Sequence, residues 1–369
     1  RFIQKFDQNA DLLCFSTCVV DFKEKLHRAG RPDDYISKCT NIDYIPLSSG
    51  KHGDSLDEIK EFMKQLFPDV ELLKYMWEHS ASCLVGTNEN QTFNIYTGSG
   101  RNGKSKYVDL MAKGLGDYKG TVPITLITQK RNSIGSTSSE IVQLMGTRYA
   151  VMQEPSKGDR INEGIMKEIT GGDPIQGRAL FKDTVTFIPQ FKLVVCTNTL
   201  FDIKSNDDGT WRRIRKVDFN AKFLKDPYED EDNFPRDQYP HQFKLDKNID
   251  QKFARWAPAF MAMLVDMAYG LRGNVNDCKI VMAASEQYRE GQDYLAEFVR
   301  DKIQKKTGGK IKKTEVYEHF RQWYQTNYGR GIPLARELHE FLGRRFGAYK
   351  QGWHNVAIIY DEEEDDDDM

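Results

Sequence analysis

The sequence predicts an α/β fold, in which a β-sheet flanked by helices lies between a helical lead-in and a smaller C-terminal unit. Three observations support this prediction. Over residues 92–220, short apolar runs alternate with helical patterns, as they do in α/β sheets. Residues 55–85 have the periodicity of amphipathic helices. Residues 291–360 combine two helical patterns with a β-prone segment and many basic side chains.

The composition is that of a globular chain with room for two or three domains. Its 369 residues are 39% hydrophobic and 29% charged. No apolar run approaches the roughly 20 residues of a membrane span, and the first residues lack the apolar segment of a signal peptide. We therefore expect an intracellular protein without membrane contact. Because the chain begins with Arg1, we also expect it to be part of a longer polypeptide.

The six cysteines contain no CxxC pair, and most lie in apolar surroundings, so disulfides are not expected. A zinc site is conceivable, but the ligand spacing fits no standard finger and plain packing is favoured. The residues in question are Cys14, Cys18, His27 and Cys39. No structural metal is expected.

The helical lead-in begins at Ser55, after loop signals in "GRPDDYIS" and "IPLSSGKHGDS". One stripe of the first helix holds Ile59, Phe62, Met63 and Leu66. The stretch "DVELLKYMWEHSASCLV" continues the helical pattern after Pro68.

A phosphate-binding loop follows the apolar run "TFNIY" and precedes the helical stretch "YVDLMAKGLG". Gly98, Gly103, Lys104 and Ser105 match the pattern G-x-x-x-x-G-K-[ST] in that context. Backbone N–H groups at a helix N-terminus surround phosphates, a Lys reaches the β and γ phosphates, and a Ser hydroxyl binds Mg²⁺. The expected nucleotide-binding residues are Gly98, Gly100, Asn102, Gly103, Lys104, Ser105 and Lys106.

Two later strands end in polar residues suited to hydrolysis. "RYAVMQE" ends in Glu154, a candidate to orient the attacking water and to hold the metal through a water. "FKLVVCTN" ends in Asn198, which could hold the same water or the γ-phosphate, or simply begin the turn "NTLFD". The residues alone favour neither role for Asn198.

Two further segments carry basic residues near β-prone stretches. Gly171, Gly172 and Asp173 form a turn, and "RALFKDTVTFIPQF" has two short β-prone arms with Lys182 near the bend. "DDGTWRRIRKVDF" places paired arginines, Arg212 and Arg213, before the strand "IRKVDF". They could form surface ion pairs or reach a phosphate on a neighbouring subunit, and spacing does not decide between the two.

The C-terminal third begins with a polar segment, 221–250, which we expect to be an exposed loop. "FARWAPAFMAMLVDMAYGL" then predicts a helix or a helix pair interrupted at Pro258. The unit at 291–360 has Thr314 as a plausible N-cap and a final turn and strand in "YKQGWHNVAIIY". Its apolar helical positions are Val316, Phe320, Trp323, Tyr324, Leu334, Leu338, Phe341, Leu342 and Phe346. We interpret it as a winged helix-turn-helix.

The net charge of −2 hides an asymmetry. Eight acids lie in the last nine residues, which leaves 53 Lys and Arg against 47 Asp and Glu elsewhere. Residues 300–350 alone hold thirteen basic and five acidic side chains. Such an excess predicts nucleic-acid binding, with another replication protein or plain packing as alternatives. The acidic tail is expected to be a solvated end, with competition against DNA as the alternative.

Five motifs in this order resemble the superfamily 3 helicases, specifically the primase–helicase NTPases of poxviruses and other large DNA viruses. They are "GSGRNGKS", "YAVMQEP", "KEITGGDPIQGRALF", "FKLVVCTN" and "GTWRRIRKVDF". "DLLCFSTCVVDF" and "RPDDYISKCTNIDYIP" resemble the domain that precedes the helicase core in that family. The resemblance covers residues 10–220 and extends more loosely to 350.

The resemblance implies an AAA+ core that assembles as a hexameric ring around DNA. It implies that Lys104 and Ser105 bind ATP and Mg²⁺, that Glu154 is the catalytic carboxylate and that Asn198 is the first sensor. Arg212 or Arg213, with Arg213 preferred, would act on the neighbouring subunit's nucleotide. The "RALFKDTVTF" segment would form a channel hairpin, with Lys182 and Arg178 on the DNA backbone. Many P-loop ATPases have Asp where this chain has Gln153, so Gln153 is a doubtful metal ligand.

The expected function is an ATP-dependent hexameric helicase that moves on single-stranded DNA during viral replication, in the host cytoplasm or nucleus. The alternative is a remodelling or initiator ATPase that melts duplex without processive unwinding; a small-molecule kinase is disfavoured. Expected partners are single-stranded and forked DNA, a primase domain on the same full-length chain and other replication proteins. The expected segments are 1–90 (N-terminal domain), 91–225 (AAA+ core), 226–290 (helical extension), 291–360 (winged helix) and 361–369 (acidic tail).

Overall fold

The computed structural model describes residues 5–128, 138–152, 154, 160–201, 203, 207–328 and 332–360. The chain divides into two compact units, Arg1–Arg289 and Glu290–Met369. The finer segments predicted from the sequence stay predictions.

The helices longer than one turn are α1 (Ser55–Leu66), α2 (Val70–Ser82), α3 (Lys104–Leu115), α6 (Glu163–Thr170), α8 (Ile249–Leu271), α9 (Lys279–Gly291), α10 (Tyr294–Lys302), α11 (Lys313–Tyr328) and α12 (Ala335–Phe346). The four-residue helices are α4 (Thr125–Thr128), α5 (Ser139–Val142) and α7 (Asp208–Trp211). The strands of the first unit are β1 (Leu12–Cys14), β2 (Val19–Asp21), β3 (Leu26–Arg28), β4 (Phe93–Thr97), β5 (Lys119–Val122), β6 (Tyr149–Met152), β7 (Ile175–Arg178), β8 (Thr184–Phe187), β9 (Lys192–Cys196), β10 (Ile214–Asp218), β11 (Lys222–Leu224) and β12 (Gln242–Lys244). The strands of the second unit are β13 (Ile303–Ile311) and β14 (Trp353–Ile358).

The first unit is organised around a parallel sheet with the strand order β10-β4-β9-β6-β5. All residues of β4 and β6 are buried, because both faces of the sheet are covered. On one face, Tyr96 and Val194 belong to a core that includes residues of α1, α2, α3 and α8. On the other face, Ile95 and Val195 pack with residues of α4 and α6. The predicted α/β core is confirmed.

The N-terminal segment is attached to this core by a buried arginine. β1, β2 and β3 form a small antiparallel sheet. The guanidinium of Arg148, just before β6, donates to the carbonyls of Ala10 at 2.6 Å and Leu12 at 2.9 Å. Burial lowers the pKa of Arg148 to about 10. This polar attachment fixes the small sheet against the start of β6.

The cysteines carry free thiols. Within the described part of the chain, no three His, Cys, Asp or Glu side chains are arranged to hold a metal ion. His27, one of the four residues considered for zinc, instead packs against the ring of Tyr44 at a centroid distance of 5.1 Å.

Helix α8 is continuous over 23 residues, so of the two predicted alternatives the single helix is confirmed and the helix pair interrupted at Pro258 is wrong. Pro258 has no N–H to donate to the preceding turn. The helix nevertheless continues, because Trp256, Phe260 and Leu264 are buried against α1, α2 and α3. None of the described helices is long and apolar enough to cross a membrane.

The segment 221–250 is only partly the exposed loop that its polar composition predicts, because two short strands flank the largely exposed residues 225–241. β11 and β12 pair in parallel within it, and Lys222 and Gln242 are buried. The amide of Gln242 accepts from the Tyr228 N–H at 2.7 Å and donates to the Phe234 carbonyl at 2.8 Å. These bonds hold the connecting loop in place.

The predicted hairpin exists, but its first arm lies earlier than expected. β7 pairs with β8 in antiparallel register, with Arg178 opposite Thr184. Residues 179–183 therefore form the bend, and "RALF" is not a strand beyond Arg178. Phe181 has a positive φ of 58° and is 92% exposed at the bend.

The second unit has the order α10, β13, α11, α12 and β14, a winged-helix-like arrangement as predicted. β13 and β14 are antiparallel. α11 begins at Lys313, so the predicted N-cap at Thr314 is wrong; the Lys312 N–H donates to the Glu315 carboxylate at 3.3 Å. Leu334 precedes α12 and is 70% exposed, whereas Leu338 and Leu342 are buried.

Candidate nucleotide site

The loop 98–103 connects β4 to α3 in a conformation that requires glycine. Gly100 and Gly103 have φ values of 82° and 76°. A Cβ on Gly103 would lie 2.3 Å from Leu66 Cδ2 and 2.9 Å from Phe223 Cε2. Gly103 is also the N-cap of α3 and offers no side-chain cap. The N–H groups that follow Lys104 in the first turn of α3 are therefore suited to an anion.

Lys104 is the first residue of α3 and lies against the end of β9. Its ammonium donates to the Thr197 carbonyl and to Asn198 Oδ1, both at 3.0 Å. Lys104 is only 9% exposed, and desolvation lowers its pKa. A cation held at the carboxyl end of a parallel sheet, beside a glycine loop, is well placed to receive phosphate.

The predicted carboxylate lies next to this lysine. Glu154 Oε1 accepts a hydrogen bond from the backbone N–H of Asn198 at 2.9 Å. Lys104, Asn198 and Glu154 thus form one connected group across the ends of β9 and β6. Gln153 lies outside the described residues.

The remaining predicted loop residues differ in their surroundings. Asn102 is buried, and its Oδ1 accepts from the Lys104 N–H at 3.2 Å. Among the described residues, Asn102 Nδ2 has no hydrogen-bond partner, so a buried donor remains available in the loop. Lys106 instead binds both oxygens of Asp250, at 2.7 and 2.8 Å, which raises its pKa.

The loop opens into a cleft of about 790 Å³. Its lining includes the exposed Ser105 at the phosphate-loop end. The hydroxyl of Ser105 and the carboxylate of Glu154 are the hard oxygen donors that Mg²⁺ prefers. Together with the spare donor of Asn102 and the first N–H groups of α3, this donor set fits a magnesium-bound polyphosphate.

Lys222 is a further site residue that the sequence analysis did not predict. It is 3% exposed, and its ammonium donates to Ser99 Oγ and to the Gly100 carbonyl, both at 2.8 Å. The ammonium also lies 4.9 Å from the ring centroid of Tyr239. Burial lowers its pKa. No motif marks a lysine in this position, because the contact depends on how β11 packs beside the loop.

The paired arginines lie at the amino ends of the parallel strands, opposite the ends that carry the phosphate loop. They precede β10, whose Ile214 is in register with Phe93 at the start of β4. Arg212 is exposed and donates to Gln91 Oε1 at 2.7 Å. Arg213 is buried, which lowers its pKa, and it bonds the same Gln91 oxygen at 3.1 Å.

Both residues predicted to contact DNA lie on the hairpin, Arg178 at the end of β7 and Lys182 in the bend. Lys182 and Arg178 are both exposed, and Arg178 Nε donates to the Lys182 carbonyl at 3.2 Å. Leu180 and Phe181 are exposed beside them. These side chains are not brought together with Lys104.

Two family models match the chain. Residues 1–68 match a model described as "D5 N terminal like", and residues 96–213 match a "Family of unknown function (DUF5906)". The second match spans the phosphate loop and both arginines.

Related proteins of large DNA viruses align with almost the whole chain. A protein of Acanthamoeba polyphaga mimivirus named "Putative helicase" is 35% identical over 356 residues, which cover 95% of this chain and 37% of the relative. A frog virus 3 protein of the same description is 25% identical, covering 97% of this chain and 43% of the relative. A "Putative primase" of African swine fever virus is 25% identical, covering 92% and 36%. The chain therefore spans less than half the length of each of these relatives.

Among solved structures, the apo C-terminal region of NrS-1 aligns with a TM-score of 0.45 and 12% identity. The alignment covers 71% of this chain and 59% of that one. The "D5 N terminal like" match and the viral relatives agree with the ordered sequence motifs, and together these findings support a relationship to the D5-type primase–helicase family.

Proposed function

We propose that this chain is the motor part of an ATP-dependent DNA helicase of superfamily 3. The observation that carries the proposal is the connected group of Lys104, Asn198 and Glu154 beside a glycine loop. It combines a lysine placed to bind phosphate, a polar sensor and a carboxylate at the carboxyl ends of parallel strands.

The proposed roles follow from the contacts of these side chains. The Lys104 ammonium exchanges its oxygen partners for phosphate oxygens and offsets their charge. Glu154 orients the attacking water, while the Asn198 N–H holds the carboxylate in position. Bound Mg²⁺ would neutralise phosphate charge, with Ser105 and, through a water, Glu154 as its protein groups. The loop N–H groups and Asn102 bind the remaining oxygens.

Assembly into a hexameric ring is proposed from the placement of Arg212. Arg212 precedes β10, whereas Lys104 follows β4, the parallel strand beside it. The strands are roughly 15 Å long, so Arg212 does not reach the nucleotide beside Lys104 in its own chain. An exposed arginine at that edge suits a nucleotide bound by a neighbouring subunit. Arg213 is buried and bonded within its own chain, so we favour Arg212 for this role over Arg213, which the resemblance alone had favoured.

We propose that the hairpin bend contacts single-stranded DNA in the ring channel. Lys182 and Arg178 supply cations for phosphates, and exposed Phe181 supplies a face on which a base stacks. Such contacts are independent of sequence, as a moving motor requires.

The second unit is proposed to bind the DNA duplex at a fork. Exposed Lys305 and Lys306 lie on β13, and exposed Lys310 and Lys312 continue this series towards α11. Replacing Lys305 and Lys306 with Ala should weaken binding to forked DNA and reduce its salt dependence. Unchanged binding would favour a protein partner or a packing role for this unit.

The relatives are more than twice as long as their aligned regions, and some are named as primases. We propose that a primase domain lies on the same full-length chain and that the protein acts with other replication proteins in an infected cell, in the cytoplasm or the nucleus.

A remodelling or initiator ATPase would use the same nucleotide site, and one experiment separates the two functions. ATP hydrolysis is measured with and without single-stranded DNA, the mass in solution is recorded, and separation of a forked duplex is followed. A hexamer whose DNA-stimulated hydrolysis separates the fork supports the helicase. DNA-stimulated hydrolysis without separation supports the remodelling ATPase. A monomer that hydrolyses ATP independently of DNA contradicts both.

A further inference from the structure

We infer that β11, β12 and the start of α8 form a slot for the base of the bound nucleotide. This inference rests on the proposed nucleotide site and assigns the part of the cleft beyond the phosphate loop. The cleft lining passes from Lys104 and Ser105 to Phe223, Leu245, Ile249 and, on α1, Phe62. One end of the cleft is thus cationic and rich in N–H groups, and the other is apolar.

The wall of this slot is joined directly to the phosphate loop. The Phe223 N–H donates to the Arg101 carbonyl at 2.7 Å, and the Phe223 ring lies against Gly103. On the adjacent residue, the Lys222 ammonium binds Ser99 and Gly100. The phosphate loop and the apolar wall are therefore fixed relative to each other. A ligand with two chemically different ends requires such an arrangement.

The apolar side chains of the slot are left partly open. Phe223 is half-buried, with the Phe243 ring behind it at a centroid distance of 5.8 Å. Leu245 is 46% exposed, although its N–H is fixed by the Leu224 carbonyl at 2.8 Å. A supported aromatic face and an open leucine offer an aromatic ligand both stacking and apolar contact. The chemical class that joins such a group to a polyphosphate is a nucleoside triphosphate.

The test compares two ligands that differ only in whether they carry a nucleoside. Equilibrium binding of magnesium ATP and of magnesium tripolyphosphate is measured for the wild type, Phe223→Ala and Leu245→Ala. We expect Phe223→Ala to weaken ATP binding on the order of tenfold, Leu245→Ala to weaken it by less, and both to leave tripolyphosphate binding unchanged. Leu334→Ala is the matched control, because Leu334 is an exposed leucine of the second unit.

The outcomes separate this inference from the proposed function. If the wild type binds ATP and both variants keep wild-type ATP affinity, or if both variants lose the two ligands equally, the slot assignment is overturned while the phosphate site stands. If the wild type binds neither ligand, the proposed nucleotide site fails, and the slot fails with it. Because Leu245 is 46% exposed, Leu245→Ala keeps the test valid even if Phe223→Ala unfolds.

Discussion

The ammonium of Lys104 lies 3.0 Å from the side-chain oxygen of Asn198, although 94 residues separate them along the chain. The contact exists because β4 and β9 are neighbours in a parallel sheet, so the loop after one strand meets the residue after the other. Lys104 donates its hydrogen bonds only to neutral oxygens, and desolvation lowers its pKa, so its charge is incompletely compensated although Glu154 lies nearby. A phosphate group is the ligand that would compensate it.

Lys104→Ala is expected to weaken ATP binding on the order of a hundredfold, because a charge-assisted hydrogen bond in a desolvated site is removed. Equilibrium binding with a fluorescent ATP analogue measures the effect. Lys113→Ala, at an exposed position in the last turn of the same helix, is the control. Equal affinities of the two variants would contradict a phosphate role for Lys104.

Glu154→Gln is expected to retain ATP binding and to lower turnover by roughly a hundredfold to ten-thousandfold. The amide keeps an oxygen that accepts from the Asn198 N–H, but it no longer takes a proton from water. Steady-state hydrolysis and binding are measured on the same preparation. Wild-type turnover in this variant would rule out Glu154 as the catalytic carboxylate.

Arg212→Ala is expected to lower hydrolysis in the assembled ring on the order of a thousandfold while leaving ATP binding and folding intact. Mixing it with Glu154→Gln subunits should partly restore turnover, since some interfaces then combine an intact arginine with an intact carboxylate. Arg213→Ala should instead lower the melting temperature, because Arg213 is buried and bonded to Gln91. Failure of every mixture to recover would indicate that Arg212 acts within its own subunit or only supports structure.

The sequence predicted those features of the fold that depend on local pattern. The apolar runs at β4, β6, β9 and β10 and the stripes of α1 and α11 lie where periodicity indicates them. The sequence analysis did not predict β13, because its "QKKTGG" stretch is polar and contains glycine. Only its two end residues, Ile303 and Ile311, are buried. Of the two alternatives predicted around Pro258, the interrupted helix pair is wrong because tertiary packing of α8 outweighs one missing hydrogen bond.

The candidate site shows the same limit. Motifs indicate Lys104, Glu154 and Asn198 because each follows a buried strand. The carboxyl ends of these parallel strands lie side by side, which brings the three residues together. Lys222 and Phe223 carry no such signal, since their contacts with the phosphate loop depend on a two-stranded sheet formed by residues twenty positions apart. Their surroundings in the sequence are polar and indicate a loop.

Lys182→Ala is expected to reduce the stimulation of hydrolysis by single-stranded DNA and to leave basal hydrolysis unchanged. Lys182 lies on the exposed bend, and the Lys104 group lies elsewhere. Each DNA phosphate that the variant no longer neutralises should make the slope of log affinity against log salt shallower by about 0.7. Lys113→Ala serves as control, and an unchanged salt slope for Lys182→Ala would remove the bend from the DNA path.

His79 is expected to make the fold sensitive to mild acid. It is fully buried in α2, its Nε2 lies 2.6 Å from the Tyr96 hydroxyl, and desolvation, aided by nearby Lys192, lowers its pKa to about 3. The native state keeps His79 neutral, whereas the unfolded chain takes up a proton below about pH 6.5. The stability present above that pH is therefore lost as pH falls, by about 2 kcal/mol at pH 5 from this group alone.

Urea unfolding at pH 7 and pH 5 measures the loss. His79→Asn should reduce the difference between the two pH values, and His241→Asn, at an exposed histidine, should not. An equal loss in all three proteins would assign the acid sensitivity to other groups.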